Sequence, residues 1–137
     1  MEGNLSNYLE EKVLNKILRN EDFIIENVYV GLVSDSATDA ELESGDLTNE
    51  ITGYDGDRKQ IICSPAEQYD GKGRSLNTEQ IDFDNMAAVT IKYAILCDSP
   101  IPGEGNILIW APAESIKTSN EGDTYRIPTE NFAVLLD

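Results

Sequence analysis

Between Ile107 and Leu136 three strand-like runs follow one another with only short turn signals between them, and this pattern restricts the fold more than any other stretch. Ile107-Leu108-Ile109-Trp110 is a compact apolar run, Ser115 to Thr118 is a short polar strand, and Asn120-Glu121-Gly122-Asp123 is a turn. Tyr125-Arg126-Ile127-Pro128 then leads through Thr129-Glu130-Asn131 into Phe132-Ala133-Val134-Leu135-Leu136. β-Branched and aromatic side chains suit a pleated backbone, while Gly, Pro, Asn and Asp supply the turn conformations that separate strands. The C-terminal half therefore reads as antiparallel sheet, with a buried last strand.

The same reading extends upstream. Val28-Tyr29-Val30-Gly31-Leu32-Val33 is nearly continuous in apolar residues, which predicts a central strand covered on both faces. Lys59 to Cys63 is a second strand, stopped by Ser64-Pro65. Gln68 to Asn77, with Asp70-Gly71-Lys72-Gly73 inside it, reads as an exposed hairpin or loop tip. Gly71 and Gly73 lack both the third glycine and the strand-to-helix setting of a phosphate cradle. Thr78 to Phe83 reads as a half-buried strand. Val89 to Cys97 is the longest candidate, with Val89, Ile91, Tyr93, Ile95 and Cys97 on one face. Asp98 to Gly105, rich in Pro and Gly, turns the chain back into Ile107.

One segment carries a helical period instead. Leu5, Leu9, Val13 and Ile17 recur every four residues, and Tyr8, Leu14 and Leu18 widen the stripe, which predicts an amphipathic helix over Leu5 to Arg19. Ser6 or Asn7 fits the N-cap, and Asn7 with Glu10 resembles a capping box. Lys16 and Arg19 fall in the last turn, where cations suit the helix dipole. The apolar face packs either against the sheet or, in part, on a neighbouring subunit.

A chain of 137 residues is long enough for one domain with its own core. The expected fold is mainly β: one domain over 1–137, with the helix in 1–22 and an antiparallel β-sandwich of about seven or eight strands in 23–137. The helix would close an edge or an end of it.

Charge and side-chain chemistry exclude several functions. A formal net charge of −16 without histidine is opposed to phosphate neutralisation, and so to nucleic acid and to anionic membrane surfaces. No apolar run approaches the ~18 residues of a bilayer span, and no basic-then-apolar leader precedes Leu5. Without histidine there is no imidazole base for a Ser or Cys nucleophile, and scattered Tyr with one Trp do not make a sugar cleft for paired carboxylates. Trp110 follows three aliphatic residues and reads as core or interface. Cys63 and Cys97 read as free, buried thiols in preference to the alternative of a disulfide, and their number and spacing do not suit zinc. No enzyme, cofactor or metal is expected. Ser34 to Asp57 is a long polar segment holding Asp35, Asp39, Glu41, Glu43, Asp46, Glu50, Asp55 and Asp57, with no Lys or Arg before Arg58. Its carboxylates do not have calcium-loop spacing, so it reads as a solvated loop or a contact surface.

Several blocks are similar to the small tailed-phage virion proteins labelled tail-fibre proteins. They are Leu5-Ser6-Asn7-Tyr8-Leu9-Glu10, Val28-Tyr29-Val30-Gly31-Leu32, Asn106-Ile107-Leu108-Ile109-Trp110-Ala111-Pro112, Gly122-Asp123-Thr124-Tyr125-Arg126-Ile127-Pro128 and the closing Asn131 to Asp137. They span nearly the whole chain in the family's order. The resemblance implies a non-enzymatic structural protein of the virion, assembled in the host cytoplasm and attached in many copies to capsid or tail. Its partners would be a major capsid or tail protein and further copies of itself. A carbohydrate- or receptor-binding sandwich is the alternative. The surfaces expected to touch neighbours are the helix around Tyr8, Leu9, Lys12 and Lys16, and the acidic segment at Glu41, Glu43, Asp46 and Glu50.

Overall fold

The computed structural model describes residues 1–137 as ten strands and two helices. They are β1 (Glu2–Leu5), α1 (Asn7–Arg19), β2 (Tyr29–Ser34), α2 (Asp39–Glu43), β3 (Lys59–Gln60), β4 (Glu67–Tyr69), β5 (Lys72–Leu76), β6 (Ile81–Phe83), β7 (Thr90–Cys97), β8 (Ile107–Thr118), β9 (Tyr125–Ile127) and β10 (Ala133–Leu136). Eight strands form one sheet in the order β3-β2-β7-β8-β1-β10-β5-β4, and β6 pairs with β9 in a separate ribbon. All pairings are antiparallel except β1 with β10. The fold is the expected mainly β sandwich, with the ribbon as its smaller layer.

The apolar runs of β2, β7 and β8 require cover on both faces, and both are covered. On one side Ile81, Phe83, Tyr125 and Ile127 of the ribbon share a core with Val30, Leu32, Ile91, Ala94, Leu96 and Ala111. On the other, Ala37 and Leu42 pack on Val33, Tyr93, Ile95, Cys97, Ile107 and Trp110. The expected single face of β7 is split between these cores. A register shift between Ile91 and Tyr93 adds residues to β8 and inverts the alternation, so Ile91 faces the ribbon while Tyr93, Ile95 and Cys97 face α2. A second shift between Leu96 and Cys97 lets Ile107 and Trp110, three residues apart, share the α2 side. β8 runs through both predicted pieces as one strand, Ile107–Thr118.

The Gln68 to Asn77 segment is a hairpin: Tyr69 pairs with Lys72, and Asp70 (φ 51°) and Gly71 (φ 77°) form its two-residue turn. Two successive positive φ values match the right-handed twist of the flanking strands, and Asp-Gly adopts them at low cost. Both ends of the large sheet are short. β3 has two residues and β4 three, the latter all exposed, so neither offers a long apolar template for further pairing.

Several boundaries differ from expectation. Leu5 belongs to β1 and not to the helix, which starts at Asn7. Only Lys59–Gln60 of the Lys59 to Cys63 run is in a ladder. β10 is only half-buried, and Leu136 is exposed, because β10 lies away from the doubly covered centre. The acidic segment is not an open loop. Ser34 N–H donates to Asn49 O at 3.1 Å and Ile51 N–H to Leu32 O at 2.8 Å, while Leu42, Ile51 and Tyr54 are buried.

A buried ion pair fastens this segment. Arg58 Nε and Nη2 donate to the two oxygens of Glu50, each at 2.7 Å, and Arg58 Nη1 donates to Ser99 O and Glu104 O at 2.8 Å. Gly103 N–H completes the Glu50 carboxylate at 2.8 Å. The Arg58 and Glu50 side chains are 0% and 2% exposed. The pair lies above Gly31, where a Cβ would come within 2.5 Å of Glu50 Oε2, so this strand position requires glycine unless the carboxylate shifts. Removing one partner of such a pair strands a buried charge, at about 3–5 kcal/mol. Glu50→Ala should therefore lower the unfolding free energy in urea by about that amount. The double variant Glu50→Met with Arg58→Met should lose clearly less, and equal losses would show that desolvated charge is not the cause.

Candidate functional site

Ser6 roots α1 in the sheet. It is fully buried, its N–H donates to Leu108 O at 2.9 Å and its Oγ to Ile107 O at 2.5 Å, and the same Oγ accepts the Leu9 N–H at 3.2 Å as the N-cap. Asn7 is therefore the first helical residue, and the Asn7 to Glu10 capping box does not form. Asn20 ends the helix in the left-handed conformation at φ 52°, and Phe23 folds back to meet Tyr8 edge-on with ring centroids 6.3 Å apart.

Beyond its root, α1 lies loosely on the junction of β8 and β1, not at an edge of the sheet, and none of its residues is fully buried. Tyr8, Leu9, Lys12 and Val13 are half-buried on the side turned to the body, with Lys12 Nζ 5.5 Å from the Tyr8 ring centroid. Lys16 is exposed. The remaining apolar residues point outward, Leu14 at 56%, Ile17 at 70% and Leu18 at 75% exposure, so the predicted stripe is divided between body and solvent. Ile24 just beyond is 84% exposed. Beside the helix runs an open groove of about 470 Å³, walled mainly by aliphatic side chains including Leu9, Ile25, Ile61 and Ile109.

The acidic segment uses most of its predicted contact residues internally. Thr38 caps α2: its Oγ1 accepts the Glu41 N–H at 3.3 Å and donates to Glu41 Oε1 at 3.1 Å. Asp39 and Glu43, one turn apart, accept Tyr93 Oη–H and Trp110 Nε1–H, each at 2.6 Å, and the two rings meet edge-on at 6.1 Å. Asp46 accepts the Thr48 N–H at 2.8 Å and its hydroxyl at 2.5 Å, bonds that hold its carboxyl below the usual range. Glu50 is corrected from a surface residue to a buried one, because Arg58 neutralises it inside the fold. Glu41, Glu43 and Asp46 keep partial exposure. Sequence spacing did not reveal the latch on Tyr93 and Trp110, although Asp39 and Glu43 at i and i+4 share a helix face.

The chemistry of these groups is structural. No three Cys, Asp or Glu side chains converge to share a metal ion. Trp110 is 8% exposed and capped by Glu43, so its ring offers no flat platform to a sugar. The two thiols are free and apart. Cys97 is buried, but Cys63 is exposed, since its run leaves the sheet after Gln60. Burial raises the Cys97 thiol from 9.0 to about 12, and burial, followed by the Asp39 bond, raises the Tyr93 phenol from 10.0 to about 12. Burial lifts Tyr54 likewise, to about 12. An acid whose folded pKa exceeds its unfolded value contributes stability that is complete below the unfolded pKa and is lost as pH rises through the folded one. The melting temperature, followed by the fluorescence of the single Trp110, should thus hold to about pH 9 and fall steadily toward about pH 12. A flat profile across that window would show that these groups titrate alike in the folded and unfolded chains.

Comparison with curated proteins returns no match. The family model described as Podophage GP4 fiber I protein gp80 matches residues 4–134, from β1 through β10 and so across both layers and α1. The chain therefore belongs to this family of podophage fibre proteins.

Proposed function

We propose that the protein is a non-enzymatic structural component of a phage virion, carried in many copies on the capsid or tail. The observation that carries this reading is the family match over residues 4–134. The partly exposed acidic groups of the α2 side, Glu41, Glu43 and Asp46, face basic residues of a major capsid or tail protein. The helix, through its Tyr8, Leu9, Lys12 and Lys16 flank and its outward apolar face, meets adjacent copies. Single exposed ion pairs contribute only ~0–1 kcal/mol and weaken with salt, so attachment depends on many of them together with apolar contact. Assembly takes place in the host cytoplasm.

Cryo-electron microscopy of purified particles tests this directly, by locating the chain on head or tail or by failing to find it. Glu41→Gln combined with Asp46→Asn, which remove the charges but keep an acceptor oxygen for Thr38 and Thr48, and separately Leu18→Asp, should reduce incorporation severalfold while the melting temperature of the isolated chain changes little. Normal incorporation of both variants would remove these surfaces from the reading. Absence of the chain from particles, with binding of the isolated protein to a glycan array, would favour the carbohydrate-binding alternative.

A further inference from the structure

We infer that the outward face of α1 and the groove beside it form a self-complementary surface, in which the helix of one copy seats in the groove of a second copy and the exchange is reciprocal. The inference deepens the many-copy reading and rests on it for its place on the particle.

Three observations select a second copy as the occupant. First, the anchors and their receptor are on the same molecule. Leu14, Ile17 and Leu18 stand at i, i+3 and i+4, the spacing by which an amphipathic helix enters an apolar groove, and all are more than half exposed. The groove of about 470 Å³ is walled by ten hydrophobic residues, and its lip includes Ile62, itself 54% exposed.

Second, charge favours approach along this helix. The chain carries ten basic residues against twenty-six acidic ones. Along the helix, however, Lys12, Lys16 and Arg19 balance Glu10, Glu11 and the Glu21 carboxylate that Arg19 meets at 3.1 Å. Two strongly acidic bodies repel least where each presents such a surface. Lys16 has no ion-pair partner within its own chain, and neither does Glu26 on the groove wall.

Third, two-fold reciprocity supplies the area. One helix of thirteen residues, about 20 Å long, offers only a few hundred Å². When each copy contributes ridge and groove, the contact moves toward the ~800 Å² per partner typical of stable interfaces. The short end strands β3 and β4 leave little scope for association by strand pairing instead.

Sedimentation of the full chain at about 100 µM should give twice the single-chain mass of 15.1 kDa. Raising the salt should strengthen the pairing, because it screens the net repulsion between two acidic chains and leaves the apolar contact intact. Ile17→Asp or Leu18→Asp on the ridge, and Ile62→Asp on the groove lip, should each weaken association at least tenfold. Since all three sites are more than half exposed, folding should survive. Mild oxidation of Leu18→Cys should link it to Cys63, an exposed thiol on the groove wall of the second copy, and Cys63→Ser should abolish the link.

A single-chain mass for the wild type at that concentration, a mass other than two chains, or unchanged association in the aspartate variants overturns the inference. So does a Leu18→Cys link that persists without Cys63. A wild-type monomer that still enters particles overturns the pairing alone and leaves the virion role standing, whereas a dimer that never enters particles overturns the virion role alone.

Discussion

The centre of the sheet consists of strands that are apolar on both faces, and much of the remaining architecture answers that requirement. β2, β7 and β8 cannot expose either side to water without losing the burial that drives folding, so each face needs a separate cover. The β6–β9 ribbon covers one and the α2 segment the other. Only short segments are available, two three-residue strands and a five-residue helix, and none of them would be stable alone. Each is held by the sheet it covers, which makes the layers mutually dependent.

Polar anchors convert this apolar contact into one fixed arrangement. Asp39 and Glu43 hold α2 on Tyr93 and Trp110, and Glu50 with Arg58 draws the following turn and the 98–105 loop over Gly31. A buried ion pair is a poor source of net stability compared with packed hydrocarbon, but its bonds are directional, and here five of them converge on one registration of three segments. An acidic segment that looks like a solvated surface in sequence is therefore partly a fastening of the core.

α1 is the contrast. Ser6 secures its first turn with three hydrogen bonds, while its later apolar residues have no cover within the chain. Single exposed aliphatic residues are ordinary on protein surfaces, but Leu14, Ile17, Leu18 and Ile24 lie on or just beyond one short helix next to an apolar groove.

Local sequence determined those features whose physics is local. The helix, capped by Ser6, one of its two candidate caps, the apolar runs of β2, β7 and β8 and the hairpin within Gln68 to Asn77 depend on neighbours within a few residues, and each is present, with the helix starting two residues later than the pattern placed it. Tertiary structure decided the rest. Glu2-Gly3-Asn4-Leu5 has no strand propensity and pairs because β10 and β8 present backbone on either side of it, with Ile109 so close that Gly3 has no room for a Cβ unless that side chain moves. The faces of β7 and β8 were set by register shifts, which depend on the partner strand and invert any alternation read from one strand alone. Whether a carboxylate is free or buried was equally invisible, because Glu43 finds Trp110 across 67 positions and Glu50 lies under a loop that begins near residue 98. Hydrogen bonds and charge neutralisation between distant segments exist only once the chain has folded, so composition could give the sign of this surface but not which of its charges remain on it.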